Sequence, residues 1–392
     1  KWTKKQIHLK INKSLPLLLL FNFIFSFVDN IESSIWIERY HLYTKSSIDS
    51  LMFQAFDDNI DNIFIQVRSR GDALYNSNIV KINSNVEKDF DPLEYSLMLG
   101  NLLNIKIHAW INTYLIWSAP YPPDDKSHIY YSNPEWFESN LNGISDHNLI
   151  IKGEISDEGL YLSPNHPSVN KYIFKVVKEL VENYPTIHGI HFDYIRFQDN
   201  NYGFNKIGVY QFEKFFKFNP KDIINNYQNK NSNEFIIDSL YSLWINYSCS
   251  NITDLLKSIN QHLILIDSDI MISAAVKTNP IEAKNRWYQD WNKWIRDDLL
   301  DFVIPMNYTT DNSTFIDNLR KIKSIIPFND KIIIGIALHN QNESGVAQKI
   351  ILSKYFGYSK ICLFSYNSIR NNSIDLSLIK YEYLKNKYMI ED

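Results

Sequence analysis

Eight short β-like runs, each followed by a helix-like run, predict a (β/α)8 barrel for this 392-residue α/β chain. Three observations carry that expectation. The alternation is strict, which calls for parallel strands joined by right-handed crossovers. The count reaches eight at a length that one large barrel can fill. Polar residues also gather at the ends of the strand candidates, the end where a barrel assembles its active site. A doubly wound open sheet is the alternative.

The elements follow in order. The first strand, Ile35 to Tyr40, leads to a helix over Ser46 to Asp58, and the second, Asn62 to Ser69, to a helix over Pro92 to Asn104. The third strand, Lys106 to Tyr114, is separated from its helix, Pro167 to Tyr184, by a long insertion, Leu115 to His166, rich in Pro, Tyr, Trp and Asp. Loops this long are usually functional, and this one is expected over the carboxyl-end face. Pro185-Thr186 breaks the helical spacing, and the apolar run from Gly189 to Phe197 reads as a parallel strand covered on both faces. A second interruption, Gln198 to Asn233, includes the polar run Asn225 to Asn231 and reads as a mobile surface loop. A helix over Glu234 to Leu265 follows. The remaining strands are Asp269 to Lys277, Asp301 to Thr309, Lys331 to His339 and Lys360 to Ser368. Their helices are Asn285 to Asp298, Thr314 to Ile326, Ser344 to Gly357 and Leu376 to Lys387.

Composition narrows the class. With 45% hydrophobic and 21% charged residues the chain is globular, and a formal net charge of −4 gives no case for a nucleic-acid partner. Aromatic residues reach 15%, which suits flat platforms for sugar rings as well as a large core. Cys249 and Cys362 show no metal spacing and read as two buried, inert thiols, with a disulfide as the alternative. Residues 1–30 stand apart: five lysines precede the apolar run Leu15 to Val28, the order of a secretory signal or an N-terminal anchor. Export to the periplasm, cell envelope or medium is therefore expected, with residues 31–392 as one catalytic barrel domain.

Asp193 is the residue that most needs a reason, since it is an unpaired acid closing an apolar strand. Around it, the strand ends carry Arg39, Gln66, Arg68, His108, Asn112, His191, Lys277, Asn307 and Tyr308. Charged groups are seldom buried unpaired, so arginines and Lys277 converging with Asp193 would make a partly solvated site. Asp72, Trp110, Tyr194 and Arg196 complete the substrate-binding candidates. For a second carboxylate the candidates are Glu282 and Asp290, which flank an aromatic stripe of Trp287, Trp291 and Trp294 at helical spacing. There is no phosphate-binding glycine loop, no nucleophile elbow and no histidine pair at metal spacing, so no cofactor or metal is expected.

With these strands in order, the chain resembles the glycosyl hydrolase-like 10 family, secreted bacterial proteins distinct from the similarly numbered xylanases. The resemblance runs through Trp36-Ile37-Glu38-Arg39, Ile65-Gln66-Val67-Arg68, His108-Ala109-Trp110-Ile111-Asn112, Tyr161-Leu162-Ser163-Pro164, Gly189 to Phe197, Tyr288-Gln289-Asp290-Trp291 and Met306-Asn307-Tyr308. It implies a barrel that hydrolyses glycosidic bonds, in some members those of peptidoglycan strands stripped of their peptides. The chain departs from the family at Arg39-Tyr40-His41 and in lacking a lipid-attachment cysteine. Asp193-Tyr194 and Met306-Asn307-Tyr308 also resemble positions of the chitinase-type family 18 barrels, but Ile195 stands where that family's Glu donor belongs.

A two-carboxylate mechanism follows as an expectation, with Asp193 as nucleophile or base held ionised by Arg68 or Arg196, and Asp290 or Glu282 as proton donor. The rival reading is a non-catalytic glycan-binding barrel of the cell envelope.

Overall fold

The computed structural model of the chain describes residues 31–151, 158–229, 235–266, 268–371 and 373–391. The expected signal or anchor, residues 1–30, lies outside them. Eight parallel strands form the sheet: β1 (Glu32–Ile37), β2 (Asn62–Arg68), β3 (Lys106–Asn112), β4 (Gly189–Asp193), β5 (Met271–Val276), β6 (Phe302–Pro305), β7 (Ile334–Ala337) and β8 (Lys360–Phe364). They lie in the order β6-β5-β4-β3-β2-β1-β8-β7. The two ends meet through bridges between Val303 and Ile332 and between Met306 and Gly335, so the ring closes as a barrel. The alternative open sheet is thereby excluded.

Period-two alternation sorts the strand residues into an inner and an outer face. Trp36, Phe64, Trp110, Ala275, Phe302, Ile304, Ile333 and Cys362 point inward and pack as a cluster of their own. Two histidines share that interior. His191 accepts from Trp36 Nε1 at 3.1 Å and meets Ser273 Oγ at 2.9 Å, while His108 stacks on Phe64 at 4.7 Å. The larger apolar cluster fills the layer between barrel and helices, where Trp291 and Trp294 are buried. Cys249 and Cys362 are both free and buried, as inert thiols.

Three elements differ from expectation. The strands end one to four residues before the expected bounds, because the tips curl into turns that carry the polar residues. Asn225 to Gln228 belong to a helix, Pro220–Gln228, rather than to a loop; Asn219 caps it through Lys221 N, and Ile223 and Ile224 bury its apolar side. The helix expected over Asn285 to Asp298 is two helices, Pro280–Trp287 and Trp291–Arg296, broken at Tyr288 with φ 52°. Trp287 therefore leaves the stripe formed by Trp291 and Trp294.

Gly189 opens β4 against two neighbours. A Cβ there would meet His108 Nδ1 at 2.4 Å and the Met271 carbonyl at 2.9 Å. One of these is backbone and cannot swing aside. Gly189→Ala is accordingly expected to destabilise the barrel by about 1–3 kcal/mol, seen as a drop in Tm, since overpacking forces strand β5 or His108 to move.

Candidate active site

Asp193 is the last residue of β4 and pairs in register with Asn112 at the end of β3. Its Oδ1 accepts from the Tyr194 N–H at 2.7 Å, a turn that sets Tyr194 at φ 49°. The carboxyl is partly buried at the barrel mouth. Burial pushes it up to about 6, against the Tyr194 N–H and the nearby Arg196 charge, which favour the anion. The Trp110 indole helps the anion too, although its Nε1 makes no full hydrogen bond.

A second acid stands beside it, and the sequence reading did not name it. Glu158 lies in the long insertion, where its oxygens accept from Arg196 Nη2 at 2.9 and 3.0 Å and from Tyr161 Oη at 2.6 Å. Lys277 Nζ approaches it at 3.9 Å. Burial would raise its pKa, but the Arg196 charge and hydrogen bonds, Tyr161 and Lys277 outweigh burial and hold it below the ordinary carboxylate value. Lys277, desolvated and close to Arg196, falls to about 8. The mouth therefore pairs one carboxyl that favours its proton with one that favours its charge. That split is what acid–base chemistry at one bond requires.

The insertion is built to deliver Glu158. Leu115–Trp117 pairs antiparallel with Leu160–Tyr161, which begins two residues after Glu158. Asp146, fully buried, accepts from Tyr161 N at 2.9 Å and from Gln198 Nε2 at 2.5 Å, and Gln198 Nε2 also reaches the Gly159 carbonyl at 3.0 Å. Glu138 donates its N–H to the Tyr161 carbonyl at 2.8 Å and receives the Asp146 N–H at 2.9 Å. Burial raises the pKa of both acids, Glu138 to about 7, so both carboxyls keep protons well above the usual carboxylate range.

A family model described as glycosyl hydrolase-like 10 matches residues 27–351. The chain belongs to this family. Among curated relatives, glycosyl hydrolase DigH of Escherichia coli O6:H1 is 22% identical over 320 residues, covering 72% of this chain and 63% of that protein. DigH of strain K12 is 26% identical over 152 residues, or 34% of this chain and 30% of its own. The chain thus spans less than two thirds of the length of these relatives. In fold, it is similar to the catalytic domain of a β-amylase from Paenibacillus polymyxa, with TM-score 0.58 at 13% identity, covering 86% of this chain and 93% of that one. A β-galactosidase from Marinomonas ef1 gives 0.56 at 10%, covering 86% and 54%.

Of the residues singled out from sequence, Asp193, Tyr194, Arg196, Lys277, Trp110 and Tyr308 come together at the mouth. Tyr308 stacks on Phe364 at 5.4 Å, and its hydroxyl feels the Asp193 charge. Gln66 and Asn112 lie just beneath as a buried relay. Gln66 Nε2 donates to Asn112 Oδ1 at 3.3 Å, and Asn112 Nδ2 to the Ser69 carbonyl at 2.9 Å, while Gln66 Oε1 takes the Arg39 N–H at 3.4 Å. Arg39 itself sits on the rim.

The other residues are turned elsewhere. An irregularity between Gln66 and Arg68 sets Arg68 opposite Ile111, so the buried guanidinium faces the helix layer, hydrogen-bonds the Asn112 carbonyl and lies over Tyr172. Arg196, not Arg68, is therefore the cation next to Asp193. His108 and His191 sit one layer too deep, wholly inside the barrel. Burial lowers both, His108 to about 3, so they are neutral packing groups. Asn307 spends its amide on the helix Asn312–Ile325, donating to the Phe315 carbonyl and accepting from Asn318. Asp72 binds the Arg70 N–H and Asn83.

Both acids expected as partners of Asp193 have other partners. Asp290 caps the helix Trp291–Arg296 through Lys293 N and pairs with Lys284 at 2.9 Å. Glu282 is half exposed and pairs with Arg286 at 3.6 Å. A cavity of about 560 Å³ lined by Asp91, Glu94, Tyr184 and His188 opens near the amino-terminal ends of β3 and β4, the wrong end for this chemistry.

Two outcomes follow. Asp290→Asn, which keeps a capping oxygen, should stay close to the parent in denaturant melts, while Asp290→Ala costs about 1 kcal/mol there through the lost cap. Because Asp193 rises from 3.8 to about 6 and Glu138 from 4.5 to about 7 on folding, both stabilise most below pH 4 and lose that contribution as pH rises through 7. Stability measured by Tm should therefore fall between pH 4 and 7, and Glu138→Gln should flatten that slope; an unchanged slope would count against the neutral acid.

Proposed function

We propose that this barrel is a secreted glycoside hydrolase that cleaves O-glycosidic bonds of a polysaccharide, with peptide-free peptidoglycan strands as the leading substrate. The observation that carries the proposal is the pair Asp193 and Glu158, two carboxyls of opposite protonation preference at the carboxyl end of the barrel. Membership in a hydrolase-like family supports it. The peptidoglycan assignment rests on the family resemblance. Export rests on the lysine-then-apolar order of the first 28 residues.

In this reading Asp193 is the proton donor to the leaving oxygen, because burial keeps its proton available near neutral pH. Glu158 is the ionised partner, oriented by both oxygens accepting from Arg196 Nη2, and either attacks the anomeric carbon or activates a water. Tyr308 and Tyr194, both partly exposed, are the apolar walls against which a sugar ring would stack, with Trp110 buried beneath them. These roles revise the expectation from sequence, in which Asp193 was the ionised group.

The non-catalytic, glycan-binding reading draws on one observation, the Arg196 Nη2 contact shared by both Glu158 oxygens, which occupies that carboxylate. Release of reducing ends separates the two. Incubation with peptide-free peptidoglycan, chitin and plant or algal polysaccharides, read by mass spectrometry, should yield cleaved products from at least one. Asp193→Asn and Glu158→Gln should each lower kcat/KM by roughly 100-fold or more with the fold intact. The wild-type rate should decline as pH rises past about 6, the Asp193 value. Products made at full rate by Asp193→Asn would remove it from the chemistry.

A further inference from the structure

Arg39 and Arg70 stand at the carboxyl ends of the neighbouring strands β1 and β2. Arg39 Nη1 donates to Ser69 Oγ at 2.7 Å, and Arg70 Nε donates to Ser118 Oγ at 2.9 Å. Among the described residues, neither guanidinium forms a salt bridge with a carboxylate, and Arg39 also acts electrostatically on Tyr40. This is unlike the other arginines of the same face. Arg196 is paired with Glu158, and Arg286 with Asp199 at 2.8 Å.

The two guanidiniums are close enough to repel. Burial, and then the Arg39 charge, lower the pKa of Arg70, while Asp72, Tyr43 and Tyr121 act in the opposite sense. Asp72 offsets part of the charge but its carboxylate is committed to the loop, with Oδ1 on the Arg70 N–H at 3.1 Å and Oδ2 on Asn83 at 2.5 Å. Like charges held together in partly buried positions cost stability unless a counter-charge arrives. The arrangement is also rigid. Arg70 lies over the Trp117 ring at 5.4 Å, and its carbonyl meets His128 Nε2 at 2.6 Å. Its backbone, Nε and plane are thus fixed, and the terminal Nη fork remains for a ligand. A fork fixed by stacking suits a planar carboxylate or a sulfate oxygen pair.

We propose that Arg39 and Arg70, with Trp117, form a subsite on the cleft rim for an anionic substituent of the glycan, a carboxylate or a sulfate ester. The proposal rests on the glycoside hydrolase reading and adds a charge preference to it. With a net charge of −4, the protein as a whole offers no general attraction for polyanions. Selectivity for acidic glycans would come from this pair.

The test is calorimetric binding of three probes to the full chain: peptide-free peptidoglycan oligosaccharides, the same after carboxyl reduction, and sulfated chitin oligosaccharides. The native oligosaccharides should bind roughly tenfold or more tighter than the reduced ones, as a charge-assisted bidentate contact gives. Arg70→Gln should erase that difference without weakening binding of the reduced probe, and Arg70→Lys should recover part of it. Lys257→Gln, remote and paired with Asp254, is the control for general charge. Tight binding of sulfated chitin extends the subsite to sulfate esters, and weak binding restricts it to carboxylates. Equal affinity for native and reduced probes, unchanged in Arg70→Gln, overturns the subsite and leaves the hydrolase reading standing. No binding of any probe overturns both. Thermal melts of each variant confirm that the fold persists.

Discussion

Arg196 is the constraint on which the mouth depends. Its guanidinium is almost wholly buried behind Asp193, where an unpaired charge would cost several kcal/mol. The barrel alone supplies no strong counter-ion, since Asp193 is itself driven toward its neutral form by burial. Glu158 supplies it, and Glu158 comes from the insertion. The insertion therefore has to close over the carboxyl end of β4 for the buried arginine to be neutralised. Tyr161 and Tyr194 add ring faces on the same cation at 5.9 and 5.1 Å. One guanidinium thus ties strand β4 to a segment more than thirty residues earlier, and the ionic state of both acids follows from it.

Much of the fold was legible because it is written in local periodicity. Eight alternations of strand and helix survive errors of several residues at each end and call for parallel strands, while closure is decided only by the bridges between β6 and β7. The site was less legible for reasons that differ from residue to residue. Asp193 could be found because an acid at the end of an apolar run has no local explanation. Arg68 was misplaced because strict alternation sends it inward, and the one-residue irregularity after Gln66 that turns it outward has no marker in the sequence. His108 and His191 were assigned the correct face but the wrong height, since inward residues four and two positions before their strand ends lie below the mouth. Asn307 adjoins the mouth, yet its amide is consumed by the first turns of the following helix.

Glu158 escaped notice because nothing local distinguishes it. It follows residues with no helix or strand period, and its meaning lies in partners distant in sequence: Arg196, Lys277 and, through the adjoining Gly159, Gln198. The available signal was indirect. Tyr161-Leu162-Ser163-Pro164 marked the segment as ordered, and an acid two residues before a buried strand pair resembles the situation of Asp193. Asp290 and Glu282 attracted attention instead through the tryptophan stripe, but that stripe is interrupted at Tyr288, and the break converts Asp290 into a cap. A local pattern thus pointed to a local function.

The acids of the insertion and the acid of the site share one physical dependence. Glu138 and Asp146 are buried, each with one oxygen that lacks a partner, so ionising them would place charge inside the insertion that carries Glu158. Asp193 carries its proton over a similar range, set by the same kind of burial. Conditions that keep the insertion clasped therefore also keep the donor loaded, while Arg196 keeps Glu158 charged across that range. A rise in pH would act first on the two properties together: the proton leaves Asp193 as the neutral hydrogen-bonded clasp that positions Glu158 begins to acquire charge. The coupling needs no moving part. It follows from placing three carboxyls in low-dielectric surroundings and giving only the fourth a guanidinium.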